Sequence, residues 1–466
     1  MLIFEYPAVA SQHLKRMIRS VSRESGRPAL DGLYQQLLQR GVKYFLPSSD
    51  LEIVEGIQES SSQMVFHTTS HYGLSFEWMG NRYALTNRTA LTDHEQRMLR
   101  SIGRFLSTRY ELLFDREIAA RNLPIFGGLT EDRYVSTFLD PKVFNDATTA
   151  VTLPDRISEA IEVLRISALS SYEDKRISTG ALLFGTLPDA CHKLPSRPLE
   201  ALRYSNELTS IRSFHRICDG LRTIALVDGG GLMVELVDVQ EWAQPFSEME
   251  LPVPTARLYR THSQATLCGG HICLVLTPNG EIKIFGEGVQ LFNFFDGRWH
   301  LTDAVSKYQS WEAAIGRRDL ASQLFSAGLN LAEHRRGGMF VVLEDPRHVR
   351  QVVSGVDLLE TDQLERAGAK NQLHYLLRRT RATELSTAVL ESIAQIDGSV
   401  VLDRDSRLLA FGAILRHSPA VDENEEIGEG GRTAAAIGAS QFGDVLMVSE
   451  GGQLSFYQKG HCVWSL

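Results

Sequence analysis

The sequence predicts an α/β protein with mixed central sheets flanked by helices, arranged as two tandem domains after a small α/β N-terminal module. Three observations support this fold class. Segments whose apolar residues have helical spacing alternate with short apolar runs typical of buried strands. The chain has 466 residues, which is too long for a single hydrophobic core. Four landmarks occur in the same order in two parts of the chain, which indicates an internal repeat.

The N-terminal module covers residues 1–125. Helical spacing in HLKRMIRSV and LYQQLLQRGV precedes the alternating stretches MVFHTTS and LSFEWMGNRYALT, which are typical of half-buried strands. A long amphipathic run from Thr92 to about Asn122 follows, and its first residues, Thr92-Asp93-His94-Glu95, have the pattern of a helix capping box. The module fits a regulatory input domain and a dimerisation or packing domain equally, because no motif separates the two.

The two predicted domains, residues 150–302 and 318–466, share the order of their landmarks. Each begins with an amphipathic helix that leads into a glycine-headed strand, GALLFG or GGMFVVLED. A shorter helix then ends in an Asp-Gly pair, Asp219-Gly220 in the first domain and Asp397-Gly398 in the second. Each pair precedes a hairpin of two apolar strands, and a second hairpin with a glycine turn closes the domain. The sequence therefore predicts one fold present twice.

An Arg-Thr pair in each domain strengthens the match. Arg260 precedes the closing-turn glycine Gly280 by twenty residues, and Arg432 precedes Gly452 by the same number. We therefore expect the two domains to superpose, with their Asp-Gly and Arg-Thr pairs at equivalent positions.

Composition and charge narrow the functional classes. The chain carries 57 acidic and 48 basic residues, a net charge of −9, which argues against a protein whose main role is to neutralise nucleic-acid phosphates. No apolar run approaches the roughly 20 residues of a membrane-spanning helix, and the N-terminus MLIFEYPAVA lacks the basic start of a secretory signal. We expect a cytoplasmic protein with no membrane partner and no nucleic-acid partner.

From about Leu320 to Leu466 the chain resembles the diadenylate cyclase domain found at the N-terminus of the bacterial DNA-integrity scanning protein. The matching segments are RRGGMFVVLED, IDGSVVLDRDSRLLAFGAIL, GEGGRTAAAIGAS and VLMVSEGGQLSFY. The architecture as a whole resembles bacterial nucleotide sensors that carry a degenerate form of that domain. The resemblance implies two tandem cyclase-like domains, of which the second is better preserved.

In this family two motifs act on two ATP molecules, which are joined into cyclic di-AMP across two domains placed face to face. An Asp-Gly-Ala motif supplies a carboxylate for the metal and ribose side, and an Arg-His-Arg motif grips the phosphates. Phosphoryl transfer needs a metal ion to withdraw charge and cations around the phosphate oxygens. The resemblance therefore implies Mg²⁺ or Mn²⁺ with bound nucleotide, and it allows a homo-oligomer formed through the cyclase-like domains.

The present sequence keeps the first motif better than the second. Asp397 and Gly398 match, with Ser399 in place of alanine, whereas Arg432 alone remains of Arg-His-Arg. Arginine makes planar, bidentate contacts to phosphate, which threonine and alanine cannot copy. A threonine hydroxyl can still hydrogen-bond a phosphate, so we expect binding to persist while transition-state stabilisation is lost. The resemblance places these residues in the nucleotide pocket: Asp397, Gly398, Ser399, Gly431, Arg432, Thr433 and Glu450.

The first domain departs further from the family pattern. It keeps Asp219, Gly220 and Arg260, but Thr277 stands where the second domain has Glu450. An Asp-Gly pair at the head of a strand is also common in turns, so a cap-and-turn role stays open in either domain.

We therefore hypothesise a nucleotide-binding sensor, with an adenine nucleotide or a cyclic dinucleotide as its ligand and with most cyclase activity lost. One alternative is an active diadenylate cyclase, in which Asp397 is the catalytic carboxylate and metal ligand. The other is a scaffold in which neither domain binds a ligand. In that case Arg432 would pair with a carboxylate, such as one in the acidic segment 422–426.

Overall fold

The chain forms two compact units, residues 1–247 with 265–303 and residues 248–264 with 304–466. The predicted division into residues 1–125, 150–302 and 318–466 is finer than these two units and stays a prediction. The computed structural model describes residues 27–57, 61–70, 73–87, 90–114, 124–144, 155–172, 175–185, 187, 192, 194, 202–354, 357–359, 376–396, 398–416 and 431–466.

The first unit begins with a small antiparallel sheet and its helices. The sheet has the strand order β1-β4-β3-β2, and alternate residues of β3 are buried, as expected when one face of a sheet is covered. The elements are α1 (Arg27–Phe45), β1 (Ser49–Gly56), β2 (Val65–Ser70), β3 (Gly73–Trp78), β4 (Asn81–Asn87), α2 (Asp93–Leu113), α3 (Thr130–Leu139) and α4 (Arg156–Ala168).

Helix α2 confirms the predicted capping box. Thr92 Oγ1 accepts a hydrogen bond from the Glu95 N–H at 3.1 Å, and the Thr92 N–H donates to Glu95 Oε2 at 2.9 Å. These bonds satisfy backbone groups at the helix start that have no partner within the helix. The helix ends at Leu113, before the predicted Asn122, which lies outside the described residues.

A seven-stranded mixed sheet completes the first unit. Its strand order is β13-β12-β11-β10-β7-β8-β9, in which β7 and β8 run parallel and the other neighbours run antiparallel. Every residue of β7 and β10 is buried, so these two strands lie at the centre of the core. The elements are β5 (Ser171–Tyr172) and β6 (Lys175–Arg176), which form a separate pair, then β7 (Thr179–Leu183), α5 (Arg212–Ile217), β8 (Thr223–Val227), β9 (Met233–Asp238), α6 (Val239–Ala243), β10 (Ile272–Leu276), β11 (Ile282–Gly286), β12 (Val289–Phe295) and β13 (Arg298–Leu301).

A six-stranded mixed sheet forms the second unit. Its strand order is β16-β15-β14-β17-β18-β19, and here β14 and β15 are the parallel neighbours. The elements are α7 (Arg260–Gln264), α8 (Ala304–Ile315), α9 (Arg318–Glu333), β14 (Gly338–Leu343), α10 (Val349–Val352), α11 (Thr387–Ala394), β15 (Ser399–Asp403), β16 (Leu408–Ala413), α12 (Gly431–Ala439), β17 (Gly443–Val448), β18 (Leu454–Gln458) and β19 (His461–Ser465). The predicted fold class, α/β with mixed sheets flanked by helices, is confirmed.

The two large sheets have matching strand orders, since β9-β8-β7-β10-β11-β12 and β16-β15-β14-β17-β18-β19 have the same directions throughout. The first hairpin turn matches as well. The Asp228 carboxylate accepts from the backbone N–H four residues later at 3.0 Å, and Asp403 makes the same bond at 2.8 Å. In each turn the residue three positions on has a positive φ, +80° at Gly231 and +67° at Ser406. Asp228 therefore corresponds to Asp403.

The closing hairpins give the second fixed point. The Thr277 hydroxyl and the Ser449 hydroxyl each accept a hydrogen bond from the backbone N–H four residues on, both at 3.1 Å. The strand residues just before these turns pair with Thr179 in the first sheet and with Gly338 in the second. The start of β7 therefore corresponds to the start of β14. That one fold is duplicated in the chain stays a prediction, and these matches support it.

The second sheet contains a buried carboxylate, that of Asp444 at the start of β17. The Asp444 side chain is inaccessible to solvent, accepts a hydrogen bond from Gln458 Nε2 at 2.8 Å and pairs with Arg404 Nη2 at 3.2 Å. Burial raises the pKa of Asp444 above its usual value, because the charged form loses its hydration. Arg404 is itself partly exposed, so its charge does not offset that loss.

Candidate functional site

Gly398 and Ser399, two of the predicted site residues that the structure describes, lie at the start of β15, at one edge of the second sheet. Phe340 of β14 is level with Val400 of β15, which places Gly338 level with Gly398 at the start of the two strands. Gly338 also pairs with Val448 at the end of β17, just before the turn 449–452. We call this end of the sheet, defined by Gly338, Gly398 and the turn 449–452, the glycine edge.

Gly398 is needed at this edge for steric reasons. Its φ is +123°, and a Cβ here would lie 2.5 Å from the Gly412 carbonyl carbon and 2.6 Å from Ala413 N. A side chain is therefore excluded both by the backbone conformation and by the neighbouring strand. Asp397, predicted as the catalytic carboxylate and metal ligand, lies outside the described residues, so both roles stay predictions.

Ser399 does not offer its hydroxyl to a ligand. The side chain is 2% exposed, and Oγ donates a hydrogen bond to the Ala413 carbonyl at 3.1 Å across the β15–β16 pair. Its hydroxyl therefore satisfies a backbone carbonyl inside the sheet. The alanine at this position of the resembled motif has no hydroxyl and cannot make this bond.

Arg432 lies at the glycine edge, next to Gly338. It lies in the first turn of α12, and its guanidinium covers Gly337, where a Cβ would lie 2.1 Å from Arg432 Nη1 and 2.7 Å from Cζ. Gly337 therefore provides the space in which the guanidinium sits. Gly431, beside it, is exposed, and Thr433 is half-buried. The first turn of α12 thus presents one fixed cation at the edge of the sheet.

Glu450 on the turn 449–452 faces this cation. Arg432 Nη1 lies 3.7 Å from Glu450 Oε1, and the Glu450 side chain is 84% exposed. Such an exposed pair contributes at most about 1 kcal/mol to stability. The structure therefore brings together two residues that the resemblance placed in one pocket. The acidic segment 422–426, the other predicted partner of Arg432, lies outside the described residues.

The loop between α9 and β14 adds a cation that the sequence reasoning did not select. Two residues after the end of α9, Arg335 adopts the left-handed conformation, φ +50°, and the Arg336 N–H bonds back to the Leu331 carbonyl at 2.9 Å. Exposed Arg336 then donates from Nη1 to Gln395 Oε1 at 2.5 Å. The segment RRGG before β14 was the sequence signal for this cation. The pattern of helices and strands drew only on its glycines, which mark the start of the strand, and did not single out the arginine.

In the first unit Asp219 acts as a turn cap. Its Oδ1 accepts hydrogen bonds from three successive backbone N–H groups, those of Leu221, Arg222 and Thr223, at 2.9, 2.7 and 3.0 Å. Gly220 has a φ of +75°, and its N–H bonds to the Thr223 carbonyl at 2.9 Å. The cap-and-turn role that the sequence left open therefore accounts for this Asp-Gly pair.

Gly220 and Gly398, the glycines of the two Asp-Gly pairs, do not occupy equivalent positions. Asp397 lies outside the described residues, so the expectation that Asp219 lies over it stays a prediction. Because Asp228 corresponds to Asp403, Thr223 corresponds to Gly398, and Gly220 lies three residues before that position. The cause is local, since Asp219 closes an additional turn before β8, whereas β15 begins directly after Gly398.

Two further correspondences also change. Thr277 corresponds to Ser449, so it is Pro278 that stands where the second sheet has Glu450. Arg260 is exposed at the start of α7 and belongs to the second unit, whereas Asp219 and Gly220 belong to the first. The structure therefore does not gather the three predicted first-domain residues within one unit.

Metal binding is not apparent in the part of the chain that the structure describes, where no group of three or more His, Cys, Asp or Glu side chains could hold an ion. Mg²⁺ or Mn²⁺ with a bound nucleotide stays a prediction, because Asp397 lies outside that part. Among the described helices, none combines the length and the apolar character needed to cross a membrane.

Comparisons with known proteins give distant similarities. No protein-family model matches the chain, and no curated protein matches it. A hypothetical membrane spanning protein from Bacillus cereus is 20% identical over 34% of this chain and 70% of its own, with a TM-score of 0.26. DacA from Staphylococcus aureus, as a double mutant, is 16% identical over 33% of this chain and 87% of its own, with a TM-score of 0.21. At such TM-scores neither similarity carries an argument about function.

Proposed function

We propose that the protein is a nucleotide-binding sensor whose ligand binds at the glycine edge of the second sheet, with little or no diadenylate cyclase activity. The observation that carries the proposal is the seating of the Arg432 guanidinium over Gly337, beside the start of β15 and the turn 449–452. A cation fixed over a glycine, with a further glycine at Gly398, lets phosphate oxygens approach both charge and backbone.

The Arg432–Glu450 pair supports binding because it is weak enough to be replaced. A hydrogen bond from a charged donor contributes about 1.5–3 kcal/mol, whereas an exposed ion pair contributes at most about 1 kcal/mol. A phosphate that accepts both guanidinium donors therefore outcompetes Glu450, whose carboxylate lies 3.7 Å away and is mostly in solvent. Glu450 would then act as the counter-ion of Arg432 whenever no nucleotide is bound.

The absence of strong catalysis follows from the charges on α12. Arg432 is followed by Thr433 and Ala434 where the resembled motif has histidine and a second arginine. Transition-state stabilisation in phosphoryl transfer depends on several positioned cations and a metal ion. We further propose that the first sheet is a degenerate copy without a site, because the Asp219 carboxylate is already bonded to three backbone N–H groups. The protein would then bind one nucleotide per chain.

Calorimetric titration of ATP and of cyclic di-AMP into wild type and Arg432→Ala tests the proposal. We expect one site per chain and a tenfold to hundredfold loss of affinity, about 1.5–3 kcal/mol, in the variant. Arg347→Ala is the matched control, because Arg347 is an exposed arginine that pairs with Asp345 beyond the opposite end of β14. Equal affinities of wild type and Arg432→Ala would remove Arg432 from the site, and no binding at all would favour a scaffold.

Incubation with ATP and Mg²⁺ or Mn²⁺ separates sensor from enzyme. We expect no cyclic di-AMP or a trace of it. Turnover within the common enzyme range of about 1–10³ per second would overturn the sensor proposal in favour of an active cyclase.

A further inference from the structure

Two arginines face each other at the end of the second sheet that lies opposite the glycine edge. Strand β15 runs from that edge to Asp403, and Arg407 follows in the hairpin turn before β16. Arg407 forms an isolated antiparallel bridge with Arg381. We propose that these two side chains form a docking surface for an acidic segment of a partner protein. This surface is independent of nucleotide binding at the glycine edge.

The hydrogen bonds on either side of the bridge determine how the two side chains are placed. The Ala382 N–H donates to the Ser406 carbonyl at 2.6 Å, and the Leu408 N–H donates to the Thr380 carbonyl at 3.2 Å. These bonds flank the two arginines and do not join them, which defines the non-hydrogen-bonded type of antiparallel pair. In such a pair the Cα atoms lie about 4.5 Å apart, and both side chains leave the same face.

Side-chain hydrogen bonds hold the two chain segments together at this point. The hydroxyl oxygens of Thr383 and Ser406 are hydrogen-bonded at 3.1 Å, and Ser406 is buried. The Arg407 N–H donates to the Asp403 carboxylate at 2.8 Å, which closes the hairpin turn. The backbone beneath the two arginines is therefore fixed, and their side chains cannot separate without the loss of these bonds.

The surface carries an excess of positive charge. Both paired side chains are exposed, and no carboxylate of the described residues lies within 4.0 Å of either guanidinium. Exposed Arg379 adds a third cation two residues before Arg381. Glu384 Oε2 accepts the Arg381 N–H at 3.3 Å, and Asp405 is exposed in the hairpin turn. The three arginines thus outnumber the two exposed carboxylates beside them in sequence.

The pairing of two arginines costs stability, because like charges directly opposite each other on neighbouring strands repel. A neutral side chain at either position would avoid this cost, so packing does not explain the pair. A bound carboxylate would offset the repulsion, since its oxygens can accept hydrogen bonds from both guanidinium groups. The pair is therefore more favourable with an anionic group bound than without one.

The size and exposure of the surface favour an acidic protein segment over other anions. A nucleic-acid surface with about 6–10 phosphate contacts needs a comparable number of cations, whereas this surface has three arginines on a chain of net charge −9. Small-molecule sites enclose most of their ligand in a cleft, but these side chains are exposed at the edge of a sheet. A short segment with two or three carboxylates matches the charge, and its other residues can exclude water.

Fluorescence anisotropy with a labelled octaglutamate peptide tests the proposal, and labelled octaglutamine serves as the neutral comparison. We expect wild type to bind octaglutamate at low salt, to bind it more weakly as salt is raised, and not to bind octaglutamine. Arg381→Gln and Arg407→Gln should each lower the affinity about fivefold, and the double variant should lower it at least about tenfold. Arg222→Gln is the matched control, because Arg222 is an exposed arginine that already pairs with Asp238.

Thermal unfolding of the same variants separates a binding role from a structural one. Arg381→Gln and Arg407→Gln should each raise Tm by about 1–3 °C, because each removes the repulsion within the pair. A lower Tm in both would make the arginines part of the fold and overturn the proposal. Wild-type affinity for octaglutamate in the double variant would also overturn it. Tighter binding of a short DNA duplex than of octaglutamate, lost in the double variant, would replace it with a nucleic-acid surface.

Discussion

Replacing Gly337 by alanine tests whether this glycine positions the Arg432 guanidinium. The new Cβ would lie 2.1 Å from Nη1 and 2.7 Å from Cζ, whereas ordinary contacts begin at 3.4 Å, so the guanidinium has to move by at least about 1.3 Å. The group that moves is the end of a flexible, partly exposed side chain, so folding should be affected little. Gly337 has no positive φ, and a compatible Gly→Ala change adds about 0.4–1 kcal/mol of stability through the unfolded state.

Binding should respond much more strongly than stability. Charge-assisted hydrogen bonds need donor–acceptor distances of about 2.7–2.9 Å, so a shift of more than 1 Å removes most of their contribution. We expect Gly337→Ala to lose nearly as much nucleotide affinity as Arg432→Ala, about tenfold to hundredfold. The double variant should bind no more weakly than Arg432→Ala alone, because both substitutions remove the same interaction.

Calorimetry and thermal unfolding of the four proteins in this cycle test the reasoning. The matched control is Gly229→Ala in the first hairpin turn of the first sheet, where a Cβ would meet no atom within 4 Å. Wild-type affinity in Gly337→Ala, or losses that simply add in the double variant, would refute the view that Gly337 acts by seating Arg432.

Three further predictions concern stability. Asp219→Ala should cost about 0.5–2 kcal/mol in denaturant unfolding, as loss of a cap does, and leave nucleotide affinity unchanged; a loss of affinity would return Asp219 to the site. Arg335→Gly should stabilise the protein by about 0.5–1 kcal/mol in the same assay, because glycine adopts φ +50° without strain; unchanged or lower stability would contradict this. Burial raises the pKa of Asp444, so its contribution to stability is fully present below about pH 3.8 and is lost as pH rises through the folded pKa. Unfolding at several pH values should show this decline in wild type but not in Asp444→Asn, and parallel profiles would contradict it.

The sequence predicted those features that depend on local pattern. The capping box at Thr92, the alternation of helices with buried strands and the glycine turns are set by residue periodicity and by backbone conformations that few residues adopt. The pairing of Arg432 with Glu450 also lay within reach, because the resemblance had placed both in one pocket.

Other features depend on contacts between distant parts of the chain. Asp219-Gly220 and Asp397-Gly398 are the same dipeptide. The role of Asp219 is nevertheless decided by three backbone N–H groups, whose positions cannot be predicted from sequence spacing. Ser399 was assigned to a pocket because it stands at the third position of the resembled Asp-Gly-Ala motif, but its hydroxyl bonds to a strand that follows later in the chain. Arg336 was not predicted from the sequence, because its position depends on a helix end and on Gln395, 59 residues away in sequence.

The starts of β7 and β14 show how equivalent edges can differ in function. In the first sheet the turn at Gly220 fills the edge with backbone, since a Cβ on Gly220 would lie 2.3 Å from the Thr179 carbonyl oxygen. In the second sheet the space over Gly337, next to the position equivalent to Thr179, is filled by the side-chain guanidinium of Arg432. The backbone that the Asp219 cap holds cannot move aside for a ligand. A guanidinium can reorient toward a ligand without any change in the backbone. Under the proposed function, this difference is why one edge of the chain binds nucleotide and the other only completes its sheet.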